Sequence, residues 1–314
     1  MWFGRDQDSA YDLEAKAHGL LDAGRTEEAL QVAEKLLAMG WSGGFEVKAL
    51  AQHQAGELEG AIATLEEATA KVPNVWHLWQ LLGNLRSDAG QLDGALEAMN
   101  EALGCEGVSE ASLRFNRAIV QHRRGEPGKA LDDLEFVMAL PRPPEFAEDV
   151  LSLAAKCLSE LGRAEDGLTL VESALEACAE GDVRRPRLHA ERAVALDRLG
   201  RDPEESLAIA TEAGVATPDL LALVRRVAAV SCEAPKRFRL VTQSAVDRGE
   251  VKGCFRVFDV VADDEAQALS LCVATLPPDA REAAAIEESA VLEDPTGLEP
   301  GVHAASGLIW FGEE

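Results

Sequence analysis

A glycine recurs six times along this chain, at intervals of 32, 34, 35, 37 and 38 residues, each time at the end of helix-like text. The six are Gly24, Gly56, Gly90, Gly125, Gly162 and Gly200. Carboxylates cluster just after each glycine. A small residue then follows at about the fifth position: Ala29, Ala61, Ala95, Ala130, Gly167 and Ser206. A period of this length constrains a fold more than composition can. Each period is one supersecondary unit that cannot bury its apolar face alone, so neighbours must stack.

The local chemistry of the unit follows from its residues. Each glycine sits where the chain leaves a helix, a place that favours a left-handed backbone. The carboxylates suit the positive N-terminal end of a second helix. Pro127 and Pro203 fall in the opening turn of that helix, where a missing N–H costs little. The small residue lets two antiparallel helices approach closely. The later, longer intervals hold extra loop residues such as Pro141-Arg142-Pro143-Pro144. Residues 219–230 read as one more amphipathic helix, able to cover the open face of the last unit.

The third unit reads Trp79-Gln80-Leu81-Leu82-Gly83, then Ala95 and Met99; the second supplies Ala61, Leu65, Ala68 and Pro73. In these residues the chain resembles the tetratricopeptide repeat family over about residues 10–219. It departs from the family at Arg86, where Tyr is usual, and at Gly167 and Ser206, where Ala is usual. The resemblance implies a mainly α fold: a right-handed α-solenoid of about six helix pairs with a capping helix. It also implies a concave face, lined by the first helix of each pair, that receives an extended peptide or a partner helix.

By the same resemblance, the peptide-facing positions include Gln80 and Asn84 in the third unit, Asn116 in the fourth, and Asp149 and Leu153 in the fifth. Chaperone-binding members hold a terminal carboxylate with two asparagines and three cations. Here Asn84 and Asn116 match, but Gln80, Asp149 and Leu153 replace the cations, so chaperone binding does not carry over. The two amides can hydrogen-bond the main chain of a peptide and hold it extended. His77, Arg123 and Lys156 add local positive charge. The expected partner-binding groove is therefore His77, Gln80, Asn84, Asn116, Arg123 and Lys156.

From Lys236 the period becomes strand-like. Residues 237–246 and 251–261 flank the turn Asp247-Arg248-Gly249-Glu250, which predicts a hairpin. Asp264 and Gln267 fit a capping box at the start of a helix that Pro277-Pro278 ends. Residues 286–293 read as helix or, slightly better, strand, and residues 307–311 as a last strand reached through Pro300-Gly301. The expected order is β-β-α-β-β, a small α+β domain at 236–314, separable near Ala234-Pro235 from a helical array at 1–233.

Charge and composition narrow the function. Against 30 Lys and Arg stand 56 Asp and Glu, a formal net charge of -26, which repels phosphate backbones and anionic lipid. No apolar run approaches the ~20 residues of a membrane span, and the first residues carry no secretion signal. The six cysteines are scattered among apolar neighbours with no ligand spacing, which predicts reduced, structural thiols in a cytoplasmic protein. Five of six histidines lie on first helices, and none forms a metal-type pair. No nucleophile–base set, phosphate loop or metal site is evident, so neither catalysis nor a cofactor is expected. The leading expectation is a scaffold or adaptor for a protein or peptide partner, with no indication of a homo-oligomer. Two alternatives remain open: an acidic, immunity-type inhibitor of a basic partner, or a terminal domain that binds a small ligand or has a catalytic role while the array recruits substrate.

Overall fold

The computed structural model describes residues 3–248, 251–292 and 295–312. They fall into two compact units, one running to Pro144 and one from Glu145 onward. Eight helices of the first unit form four pairs: α1 (Phe3–Asp22) with α2 (Thr26–Ala38), α3 (Gly43–Gln54) with α4 (Leu58–Lys71), α5 (Trp76–Asp88) with α6 (Leu92–Leu103), and α7 (Glu110–Arg123) with α8 (Pro127–Met138). The second unit opens with two more pairs, α9 (Ala147–Glu160) with α10 (Ala164–Ala177) and α11 (Arg185–Arg198) with α12 (Glu204–Glu212), and a single helix α13 (Pro218–Ala228). Six pairs and one further helix match the period of the sequence.

The six turns share one geometry. Their glycines have φ between +66° and +81°, a region where a side chain is strained. The residue after each glycine donates its N–H back to the last turn of the first helix. Examples are Arg25 to the Leu20 carbonyl at 2.8 Å, Gln91 to Arg86 at 2.8 Å and Arg201 to Leu196 at 2.9 Å. This closes carbonyls that a helix end otherwise leaves open. The small residues that follow lie in the helix–helix contacts. Ala29, Ala61, Ala95 and Ala130 are fully buried. Both departures from Ala have a local reason. A Cβ at Gly167 would stand 3.2 Å from the Ala155 carbonyl, and the buried Ser206 hydroxyl accepts from Arg192 Nη1 at 2.8 Å.

The rest of the second unit is an antiparallel sheet: β1 (Lys236–Arg248), β2 (Val251–Ala262), β3 (Ala284–Leu292), β4 (Gly301–Ala305) and β5 (Ile309–Gly312). The strand order is β3-β1-β2-β4, with β5 also beside β2. β4 pairs with residues 258–261 of β2, and β5 with residues 251–255. Helix α14 (Glu265–Val273) and the single turn α15 (Pro278–Arg281) lie between β2 and β3. The expected cap forms: the Asp264 carboxylate accepts from the Gln267 N–H at 2.8 Å, and Gln267 Oε1 accepts from the Asp263 N–H at 2.7 Å.

Two elements add to the expected order. β4 occupies the stretch that the sequence suggests is a connection, because Val302 packs into the sheet core. Pro278 ends nothing. It opens α15 at a first-turn position that tolerates its missing N–H. Gly249 and Glu250 of the expected hairpin turn, and Glu293 of the expected third strand, lie outside the described residues.

Helix and sheet text change over near Ala234-Pro235, but packing crosses that point. Leu221 of α13 belongs to the same core as Phe238, Leu240, Phe258 and Val260. Arg225 Nη1 donates to the Val302 carbonyl at 2.6 Å. Arg256 on β2, 1% exposed, donates to the carbonyls of Gly214 at 2.8 Å, Thr275 at 3.0 Å and Ser306 at 2.8 Å.

Candidate functional site

Five of the six expected groove residues lie on α5 and α7, two successive first helices of the first unit; Lys156 lies on α9 in the second. On α5 the buried side is Leu78, Leu82, Gly83 and Leu85. His77, Gln80, Leu81 and Asn84 form a half-buried stripe beside it at helical spacing. On α7 the core side includes Leu113, Ala118 and Val120, and Ser112, Asn116 and Ile119 make the corresponding half-buried stripe. Arg123 ties the two helices together, donating from Nη1 to the buried Ser87 hydroxyl at 2.6 Å.

The six residues divide by whether their polar groups are already used. Gln80, Asn84 and Asn116 have no hydrogen-bond partner among the described residues. The groups expected to supply positive charge are all engaged. His77 Nε2 lies 3.4 Å from Glu46 Oε2, Arg123 is held by Ser87, and Lys156 Nζ is 3.3 Å from the Asp219 carboxylate. Glu46 and Asp219 lie in the first turns of α3 and α13, and Ser87 in the last turn of α5.

In the second unit, pairs across successive first helices fill the equivalent face. Asp149 binds Arg187, and Ser152 Oγ donates to Glu191 Oε1 at 2.7 Å. Asp219 serves Lys156 and also Arg198 at 3.7 Å. Burial raises the Glu191 carboxyl above the usual range, against the Ser152 hydrogen bond and Arg187. His189 on the same helix is lowered, first by burial and then by Arg185 and Arg192. This face is closed on itself; the α5–α7 face is not.

Two cavities in the first unit lie elsewhere. One, about 390 Å³, is lined by Trp41, Phe45, Lys48, Glu67 and Lys71 among others. The other, about 470 Å³, is lined by residues of α6, α7 and α8, including Asn100, Arg117, Gln121 and Arg124. Arg117 there is committed to the buried Asp133, with 2.7 and 2.6 Å contacts. Neither cavity includes an expected groove residue.

Among the described residues, no three His, Cys, Asp or Glu side chains converge as metal ligands would. No helix there is long and apolar enough to cross a membrane. All six cysteines are free thiols. Burial pushes Cys157 up to about 11 and Cys272 up to about 12, which keeps both protonated and poorly nucleophilic.

A family model described as tetratricopeptide repeat matches residues 13–35 and 111–132. These segments fall within the α1–α2 and α7–α8 pairs. In those two segments the chain is similar to tetratricopeptide repeats. Solved structures agree at the level of fold. A tetratricopeptide repeat protein from Parabacteroides merdae aligns with a TM-score of 0.56 at 14% identity, covering 70% of this chain and 86% of that one. PilF from Pseudomonas aeruginosa aligns with a TM-score of 0.54 at 14% identity, covering 72% and 95%. No curated protein sequence matches the chain. Within the repeats, the family's usual Tyr before the turn is polar in the middle units. Gln52 Oε1 accepts from Thr64 at 2.7 Å, and Arg86 bonds the Gly94 carbonyl at 3.0 Å and Glu66 at 2.8 Å. Gly60 and Gly94 leave room for those side chains, since a Cβ would stand 3.2 Å from Gln52 Nε2 and 3.3 Å from Arg86 Cδ.

Proposed function

We propose that the protein is a non-enzymatic scaffold whose first unit holds an extended peptide of a protein partner against α5 and α7. It would work in a reducing, cytoplasmic setting that keeps its thiols free. One observation carries the reading: Gln80, Asn84 and Asn116 are half-buried amides on one pair of first helices with no hydrogen-bond partner among the described residues. An amide side chain offers both a donor and an acceptor, and a peptide main chain supplies the matching groups. Repeats of this family also support protein interaction in general. His77 and Arg123 frame the amides. The His77 ring lies against Glu46, and one Arg123 nitrogen is used by the neutral Ser87 hydroxyl. Lys156, bound to Asp219, is not part of this reading.

The test begins with the intact protein as bait in its native extract and identification of the captured partner. A titration of that partner's binding segment then compares the parent with the double variant Asn84→Ala, Asn116→Ala. Two hydrogen bonds at ~0.5–1.5 kcal/mol each predict weakening by about five- to hundredfold. Helicity should be unchanged, because neither residue is in the core. Equal affinity in a folded double variant would remove the peptide from this face.

A further inference from the structure

We propose that the free edge of β3 docks a basic, extended segment of a protein partner, which adds to the sheet as another strand. The surface is independent of the helical face above. Among the described residues, β3 ends the strand order and pairs on one side only, with β1. It is the long free edge of the sheet, nine residues, whereas the opposite margin is divided between β4, five residues, and β5, four. An unpaired edge presents a row of main-chain donors and acceptors to any strand that fits. A bulge opposite Val241 and Thr242 takes up Glu287 and leaves residues 288–292 in regular register with β1. That is the stretch a partner can pair with. Residues 287–291 are exposed, Val291 to 63%, so both faces of the strand are open there.

Charge decides the occupant. Glu287 and Glu288 have no ion pair or hydrogen bond among the described residues. On neighbouring β1, Arg237 and Arg239 share the single Asp259 carboxylate at 3.0 Å, and neither pairs with Glu287 or Glu288. Two unanswered carboxylates on an edge disfavour an acidic strand, and a second copy would bring its own formal net charge of -26. Glu288 lies opposite Val241 and Val291 opposite Phe238, so the two side chains stand on opposite faces of the sheet. A segment that alternates cationic and apolar residues meets both, a cation beside Glu288 and an apolar side chain beside Val291.

The probe is a fluorescein-labelled hexapeptide of alternating lysine and valine, titrated against the full chain by anisotropy. A second probe replaces lysine by glutamate. A third keeps the lysines but carries methyl groups on alternate main-chain nitrogens. The lysine peptide should bind and should slow hydrogen exchange at residues 288–292. Methylation should weaken it by about tenfold or more through lost ladder bonds. The double variant Glu287→Lys, Glu288→Lys should lose roughly tenfold for the lysine peptide and gain binding of the glutamate peptide. If that variant misfolds, the methylated peptide on the unmodified chain still decides. Binding indifferent to methylation, or protection appearing elsewhere, would show attraction by the acidic surface as a whole and overturn the proposal. Absence of binding would overturn it too, as would a dimer in sedimentation that buries this edge.

Discussion

Arg256 is a buried cation whose recorded partners are three main-chain carbonyls, with no carboxylate among them. Burial lowers its pKa, yet a guanidinium stays charged in a protein. Its planar fork satisfies three acceptors at once. Arg256→Met should therefore leave the buried Thr275 carbonyl and the part-buried Gly214 and Ser306 carbonyls without this donor and cost about 1–3 kcal/mol. Arg256→Lys should recover only part, since an ammonium lacks the fork. The urea midpoint of the parent and both variants checks this; a Met variant as stable as the parent would mean that water replaces the guanidinium. None of it could be seen in the sequence, because the three acceptors lie 42, 19 and 50 residues away. The candidate groove divides along the same line. Asn84 and Asn116 are marked by their place in the repeat, a local signal. The use of Arg123 by Ser87 and of Lys156 by Asp219 depends on helices in other repeats, which no single unit encodes.

At the level of elements, the six turns were legible because every cause is local: a glycine, a following acidic cluster and a small residue within a few positions. Two glycines of the first unit should respond with opposite sign to the same substitution. Gly90 has φ +75°, so Gly90→Ala should destabilise by about 1–2 kcal/mol. Gly19 lies inside α1 with open space around a Cβ, so Gly19→Ala should stabilise by up to about 1 kcal/mol. Chemical denaturation of the two variants side by side measures both; a common sign would contradict the assignment of Gly90 to a left-handed turn. The strands were less legible. β4, Gly-Val-His-Ala-Ala in sequence, lacks the β-branched run that marks a strand on its own. It is a strand because β2 offers an edge beside it.

For the whole molecule, the change of period near Ala234-Pro235 marks a change of architecture without a gap in packing. Leu221 is buried in the core of the sheet, and Gly214 and Arg225 are bound by it or bind to it. A chain cut after residue 233 should keep its helices but lose stability in the last of them. Exposing Leu221 alone costs about 1.5–3 kcal/mol, and an uncovered terminal repeat frays inward. A thermal scan should place the end of the truncated array about 5 °C or more below the full chain; coincident melting would support the expectation of separable parts. The reach of Arg256 also fixes an order of events while the chain is being made. Gly214 leaves the ribosome well before Ser306, and at usual elongation rates that interval is roughly 5 to 20 s. For those seconds the finished repeats end in an amphipathic helix whose apolar side has no sheet over it, so the newborn protein is most exposed to chaperones and proteases at α13.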